Sequence, residues 1–253
     1  MSTEHDDTVD ATAKRASYHQ RLSLFSIDEE ADISTPSNEQ EINKNETLEE
    51  LINKSKTKLG LYLWNKQIND QQVKQITQEL KKRTSTNWSY VDLSNNQITS
   101  VGVQYLCQTL KLNTTIKSYW TLAVMDSIQY LPVNKTLTFI NLNSNLIDDH
   151  GIKIISDMLI VNKTLELLWL SKNQITDRGI ESLCGALKLN NKLKELNVSN
   201  NQEITDQSVD SIIDMLNINR TLVSLDLRLN QLSQHSKDKI HEIANNICKT
   251  VEL

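Results

Sequence analysis

Three adjacent residues, Asp148, Asp149 and His150, place two carboxylates beside an imidazole. Those are the side-chain types of an acid–base pair or a divalent-metal site. They fall, however, in a turn between a predicted strand and a predicted helix, where an aspartate caps exposed N–H groups, and they read as solvated turn residues with an N-cap. The other histidines, at 5, 19, 235 and 241, have no ligand spacing to cysteines or carboxylates. There is no G-x-S-x-G, no phosphate-binding glycine loop and no C-x-x-C. Cys107 and Cys184 each follow a leucine at equivalent helix positions and read as small buried residues. The expectation is therefore no enzyme, no catalytic residue, no metal site and no cofactor. The remaining chemistry is recognition by aromatic rings, and the chain has only twelve: four Trp, six Tyr and two Phe.

The elements that must position those rings come from a repeat. NKTLTFINLNSNLIDDHGI starts at 134, NKTLELLWLSKNQITDRGI at 162 and NNKLKELNVSNNQEITDQSV at 190, a period of 28. NRTLVSLDLRLNQLSQHS starts at 219, its extra residue accounted for by Glu203. TNWSYVDLSNNQITSVGV around Trp88 is the same unit, and KTKLGLYLWNKQIND around Leu61 is a weaker copy. Each fits L-x-x-L-x-L-x-x-N-x-L/I followed by helical spacing. The L-x-L alternation predicts a short strand. Leu93, Leu142, Leu170, Val198 and Leu227 would stack in one inward column. Asn96, Asn145, Asn173, Asn201 and Asn230 turn the chain, each with an amide that can donate and accept for the backbone at the turn. Ile152, Ile155, Leu159 and their equivalents predict an amphipathic helix per unit. Single units bury little, so stacking is required.

These repeats resemble the ribonuclease-inhibitor type of leucine-rich repeat, and N-K-T-L…L-x-L…N-Q-I-T-D-x-G is most similar to the repeats of NOD-like receptors. The resemblance covers about residues 51–253. It implies an α/β leucine-rich-repeat solenoid, a horseshoe with parallel strands on the concave face and helices on the convex face. Three departures stand out. Lys66 replaces the first turn asparagine, and Trp88 replaces the first leucine of its repeat. From Ile116 to Leu137 the spacing is only 21, which predicts a shortened helix and a kink near 120–131, or a degenerate copy. The end, KDKIHEIANNICKTVEL, predicts a capping helix with Ile240, Ile243 and Ile247 on one face.

In this register the unspecified positions point into the horseshoe. The central column reads Tyr62, Asp92, Trp120, Asn141, Trp169, Asn197, Asp226. The column before it includes Tyr90 and Phe139, and the one after it Trp64 and Arg228. Six of the twelve aromatics fall here. Tyr62, Trp64, Tyr90, Asp92, Trp120, Phe139, Trp169 and Arg228 are the candidate partner-binding residues, since Trp, Tyr and Arg dominate interface hot spots.

Charge divides the chain. Residues 1–50 carry thirteen acidic and four basic residues, a net of −9. The remainder of the formal −5 leaves 51–253 at +4, with 23 basic against 19 acidic residues. The first fifty residues have few large apolar groups and predict a mostly disordered acidic tail, followed by a repeat domain of about seven units. The net charge argues against a nucleic-acid partner. No apolar run suits a membrane helix and the start is unlike a signal peptide, so the expectation is cytoplasmic, with the nucleus also open. Asn134, Asn162 and Asn219 begin N-x-T triplets that read as repeat chemistry rather than glycan sites. The function expected is a non-enzymatic protein–protein interaction module, an adaptor, scaffold or regulatory recogniser. Two alternatives share the repeat type: a GTPase activator resembling that of Ran, and an actin cap resembling tropomodulin.

Overall fold

The computed structural model describes residues 46–81, 88–111, 137–247 and 249–253. They form one compact unit, Glu46–Leu253. The acidic segment before it, the irregular stretch 116–136 and Trp120 lie outside the described residues. The first element is helix α1 (Leu48–Ser55), so the domain boundary expected at residue 50 falls inside a helix. Thr47 explains why it starts there: its hydroxyl accepts from Glu50 N while the Glu50 carboxylate accepts from Thr47 N, a capping box.

Strands and helices then alternate: β1 (Gly60–Tyr62), α2 (Asp70–Lys81), β2 (Tyr90–Asp92), α3 (Ser100–Lys111), β3 (Phe139–Asn141), α4 (Asp149–Val161), β4 (Leu167–Trp169), α5 (Asp177–Leu187), β5 (Glu195–Asn197), α6 (Val209–Ile218), β6 (Ser224–Asp226), α7 (Gln234–Asn246) and β7 (Thr250–Glu252). The seven strands make one parallel sheet in chain order, and each helix from α2 to α7 packs on the next. The leucine columns and the helix faces meet between the two layers, where Leu61, Leu93, Leu170, Ile152 and Leu216 are fully enclosed. Trp88, in place of a leucine, is also fully buried and donates its indole N–H to the Ser55 carbonyl at 2.9 Å.

β2 pairs directly with β3, Tyr90 opposite Phe139 and Asp92 opposite Asn141; the 116–120 segment expected between these repeats lies outside the described residues. Among the described residues the seventh strand is at the C-terminus. The close of the last repeat is a helix followed by β7, which pairs with β6 and buries Val251, because TVEL repeats the x-Φ-x alternation of the other strands.

The turn asparagines form a continuous ladder. Asn96 donates from Nδ2 to the carbonyls of Leu63 and Leu93 (both 2.9 Å) and accepts at Oδ1 from Ile68 N at 2.9 Å. Asn145, Asn173 and Asn201 each bridge their own strand end and the preceding one in the same way. Lys66 cannot, and its repeat is the one with two left-handed residues at the turn, Asn65 and Gln67.

A second ladder explains T-D-x-G. The aspartate opening each helix reaches the next repeat: Asp149 accepts from Thr176 N (2.9 Å) and Oγ1 (2.6 Å), and Asp177 accepts from Thr205 N (2.8 Å) and Oγ1 (2.7 Å). The glycine makes room for that carboxylate, since a Cβ at Gly179 would lie 2.5 Å from Asp149 Oδ1 and 2.8 Å from Ile175 Cγ2. Where Ser208 replaces the glycine, the helix opens with a 3-10 turn, Asp206–Ser208.

A third ladder uses the helix-end asparagines. Asn162 accepts from Leu165 N at 2.8 Å, and Asn190 and Asn219 repeat the contact to Leu193 and Leu222. Asn162 is fully buried and Asn219 nearly so, which closes their amides to glycosylation. After the last repeat Lys249 stands in the ladder, donating to the Leu222 carbonyl at 2.7 Å. Burial, aided by the Arg220 charge, pushes its ammonium down to about 8 from 10.5.

Two predictions follow from these ladders. Gly185 faces open space on α5, so Gly185→Ala should raise stability by about 1 kcal/mol through helix propensity. Gly179→Ala, on the same helix, should lower it by roughly 1–3 kcal/mol through overpacking. Urea unfolding of the pair separates the two effects. Between about pH 8 and 10.5 the unfolded Lys249 keeps a proton that the folded one has released, so stability rises with pH across that window. The difference in melting temperature between the wild type and Lys249→Met should therefore shift in favour of the wild type from pH 7 to pH 10.

Candidate functional site

The sheet register turns the sequence columns into rows of neighbours. One row runs Gly60, Tyr90, Phe139, Leu167, Glu195, Ser224, Thr250, and the next Tyr62, Asp92, Asn141, Trp169, Asn197, Asp226, Glu252. The direct pairing of β2 with β3 places aromatic side chains of successive strands in contact. Tyr62 meets Tyr90 with ring centroids 5.0 Å apart, Tyr90 meets Phe139 at 4.7 Å, and Phe139 meets Trp169 at 4.8 Å. The last two pairs are edge-to-face, the favoured arrangement for ring quadrupoles. The run ends at Glu195, whose Oε1 accepts from the Trp169 indole N–H at 2.7 Å.

Four rings thus form one strip, but they are not equally available. Tyr62 and Trp64 are about half exposed, at 53% and 51%. Tyr90 and Trp169 are half-buried. Phe139 is only 4% exposed, closed over by Tyr90 and Trp169, so it supports the strip instead of presenting area to a partner. Of the four rings it offers the least surface to a partner. Tyr90 donates its hydroxyl to Asp92 Oδ2 at 3.1 Å; burial and the Asp92 charge push its phenol well above the ordinary range.

Asp92 is also spoken for. Its Oδ1 accepts from Ser94 N (2.9 Å) and Ser94 Oγ (2.6 Å). The same contact, from a middle-row side chain to the N–H two residues on, recurs at Asn141, Asn197 and Asp226. These Asx residues finish each strand with a local turn. Trp169 breaks the pattern. The orphaned Ser171 N–H is taken by Asn143 Oδ1 from the preceding repeat at 2.7 Å. At this position an Asx side chain would serve the backbone, and the chain carries an indole instead.

Arg228 is exposed and held by two carboxylates: Nη2 lies 2.8 Å from Asp226 Oδ2 and Nε 3.2 Å from Glu252 Oε2. Glu195, which the sequence reading did not single out, is buried to 7% exposure with Oε2 lacking a hydrogen-bond partner among the described residues. Burial raises its carboxyl above the ordinary range; the Trp169 bond opposes the shift, and Glu252 and Asp226 add to it. The signal was a charged residue in a column otherwise filled by aromatic, aliphatic or small side chains.

Asp148, Asp149 and His150 border a cleft of about 490 Å³ at the strand-to-helix turns, with Gln174, Gln202 and Glu203. Both carboxylates have structural work. Asp148 caps α4 through Gly151 N at 3.0 Å and accepts from the Ser100 hydroxyl, and Asp149 holds Thr176. Burial raises the Asp148 carboxyl, but the bonds from Ser100 and the Gly151 and His150 N–H groups outweigh it and hold it below the usual range. Cys107 and Cys184 are buried, and burial pushes the Cys184 thiol up to about 12, an unreactive state at neutral pH.

One family profile agrees with the repeats. A leucine-rich-repeat family profile matches residues 86–107, 133–156, 161–184, 189–212 and 219–233. No curated protein sequence matches. Among solved structures, the leiomodin-1 actin-binding site 2 aligns at 20% identity over 79% of this chain and 84% of its own, with a TM-score of 0.46. An internalin from Listeria monocytogenes aligns at 17% identity over 76% of this chain and 46% of its own, with a TM-score of 0.41. Repeated residues, strand register and asparagine ladder together make Glu46–Leu253 a solenoid of leucine-rich repeats.

Proposed function

We propose that this chain is a non-enzymatic adaptor, scaffold or regulatory recogniser that binds a protein partner on its strand face. The single observation that carries the reading is Trp169. It occupies a row where asparagine or aspartate would finish the strand, the backbone group it leaves behind has been satisfied from the neighbouring repeat, and its ring stays partly exposed at the end of an aromatic strip. A large ring kept where the fold prefers an amide is the mark of an interface anchor. Tyr62 and Trp64 extend the same strip toward the first repeat. The 28-residue period and a full helix in each unit support repeats of the ribonuclease-inhibitor type, close to those of NOD-like receptors. We further propose a cytoplasmic setting; among the described residues no helix is long and apolar enough to cross a membrane.

The site separates into presenting and supporting residues, and that separation is testable. Phe139→Ala empties a covered position and should cost about 3–5 kcal/mol of stability. Tyr62→Ala and Trp64→Ala should leave the melting temperature nearly unchanged. Affinity for the partner, recovered by cross-linking and quantified by titration calorimetry, should fall tenfold or more in Trp169→Ala or in the Tyr62→Ala, Trp64→Ala double variant. A variant on the helix face, Lys153→Ala, should bind as the wild type does. Loss of binding only on the helix face would overturn the reading.

A further inference from the structure

The strand face changes character at Trp169. Before it lie rings; after it lie Glu195, Asp226 and Glu252, with Arg228 as the counter-charge of the last two, a net of −2 on these four residues. Asp226 and Glu252 are direct neighbours in the sheet, and both repel charge on Glu195. Arg228 goes to Asp226 and Glu252, and Lys194 to Glu166 at 2.8 Å. Glu195 is left with one oxygen on the Trp169 indole and the other, Oε2, without a partner although the side chain is more than nine-tenths buried. A buried carboxylate oxygen without a donor is costly. It is closed to the surface, and the acid that a cation from outside meets at this end is Glu252, 41% exposed; a cation bound there would also offset the charge felt by Glu195.

Resting on the interaction reading above, we propose that the partner presents a basic side chain, arginine or lysine, to the Glu195–Asp226–Glu252 end of the strand face, and a large apolar side chain to the Trp169–Tyr62 end. Three features fit this occupant. The charge is complementary. The indole that binds Glu195 borders the same spot, and a cation beside an indole gains a further attraction. The spacing is that of a short peptide: Trp169 and Asp226 are two strands apart, about 10 Å, which an extended chain covers in about three residues. The acidic segment 1–50 of this chain, at −9, is poorly matched to the same end.

The test is selection of a random twelve-residue peptide display library on the immobilised full-length chain, with the winners titrated against variants. Expected are peptides of net positive charge, with arginine or lysine two to four residues from an aromatic or aliphatic residue. Their affinity should fall tenfold or more against Glu195→Gln, which keeps the side-chain shape, and against Glu252→Lys, which reverses a charge on the last strand. It should also weaken as salt rises from 0.05 to 0.5 M, on the order of the screening expected for exposed charges. Neutral or acidic winners that still need Trp169 would overturn the basic-partner inference while leaving the strand-face reading intact. Winners insensitive to Trp169→Ala, Glu195→Gln and Glu252→Lys, or no enrichment at all, would sink both. Competition of the winners by a synthetic peptide of residues 1–45 would reassign the face to this chain's own N-terminal segment and overturn the proposal of an external partner.

Discussion

One side-chain amide governs this fold. A 28-residue unit with a three-residue strand cannot bury its own backbone at the point where the strand ends. The asparagine at that point donates to carbonyls of its own repeat and of the repeat before, and accepts N–H groups from the preceding turn. It therefore satisfies the turn and fixes the distance between units with the same atoms. Exposure near zero at Asn201 and below a tenth at Asn96 and Asn145 removes water as an alternative, so each rung depends on its neighbour. The aspartate rungs at the helix starts and the asparagine rungs at the helix ends repeat that logic on the other layer. Stability is consequently shared between nearest neighbours, as in any linear array.

That arrangement leaves the strand face with little structural duty beyond the Asx turns. Asp92, Asn141, Asn197 and Asp226 keep the rule, and Trp169 departs from it. Departures from a repeat's own rule are informative because the repeat supplies its own control: four equivalent positions state what the fold prefers. By the same comparison Asp148, Asp149 and His150 lose their chemical interest. At equivalent positions Asp177 bonds Thr205 as Asp149 bonds Thr176, and the Ser100–Asp148 pair is that bond with donor and acceptor exchanged.

Much of this was legible in the sequence for a specific reason. Strand, turn and helix positions are stated several times over at a fixed period, so Leu93, Asn96 and Ile152 could be placed without any tertiary information. The aromatic rows were legible for the same reason. What the period could not supply was any contact that depends on a missing rung. Counting units placed Trp120 between Asp92 and Asn141, whereas the sheet joins those two directly, and only that juxtaposition brings Tyr90 onto Phe139 and covers it. Phe139 therefore read as a presented ring, and in the structure it is a covered one. Glu195 was hidden because its consequence, an oxygen without a donor, depends on the tilt of one neighbouring indole. The C-terminal TVEL was too short to signal a strand by itself and becomes one because β6 offers it an edge.

The direct pairing of β2 with β3 has a consequence for how such an array can change over time. Helix α3 ends at Lys111, and the next described residue is Leu137, yet α3 packs on α4 and Asn145 reaches the Leu93 carbonyl as if nothing intervened. The solenoid thus measures register at its contact surfaces and is indifferent to the length of chain that connects them. At this crossing the bonds on either side keep the register found elsewhere in the sheet, so the rungs need their neighbours and not a fixed connecting length. The place where this chain departs most from its period is also where new sequence could be tried at least risk to the rest.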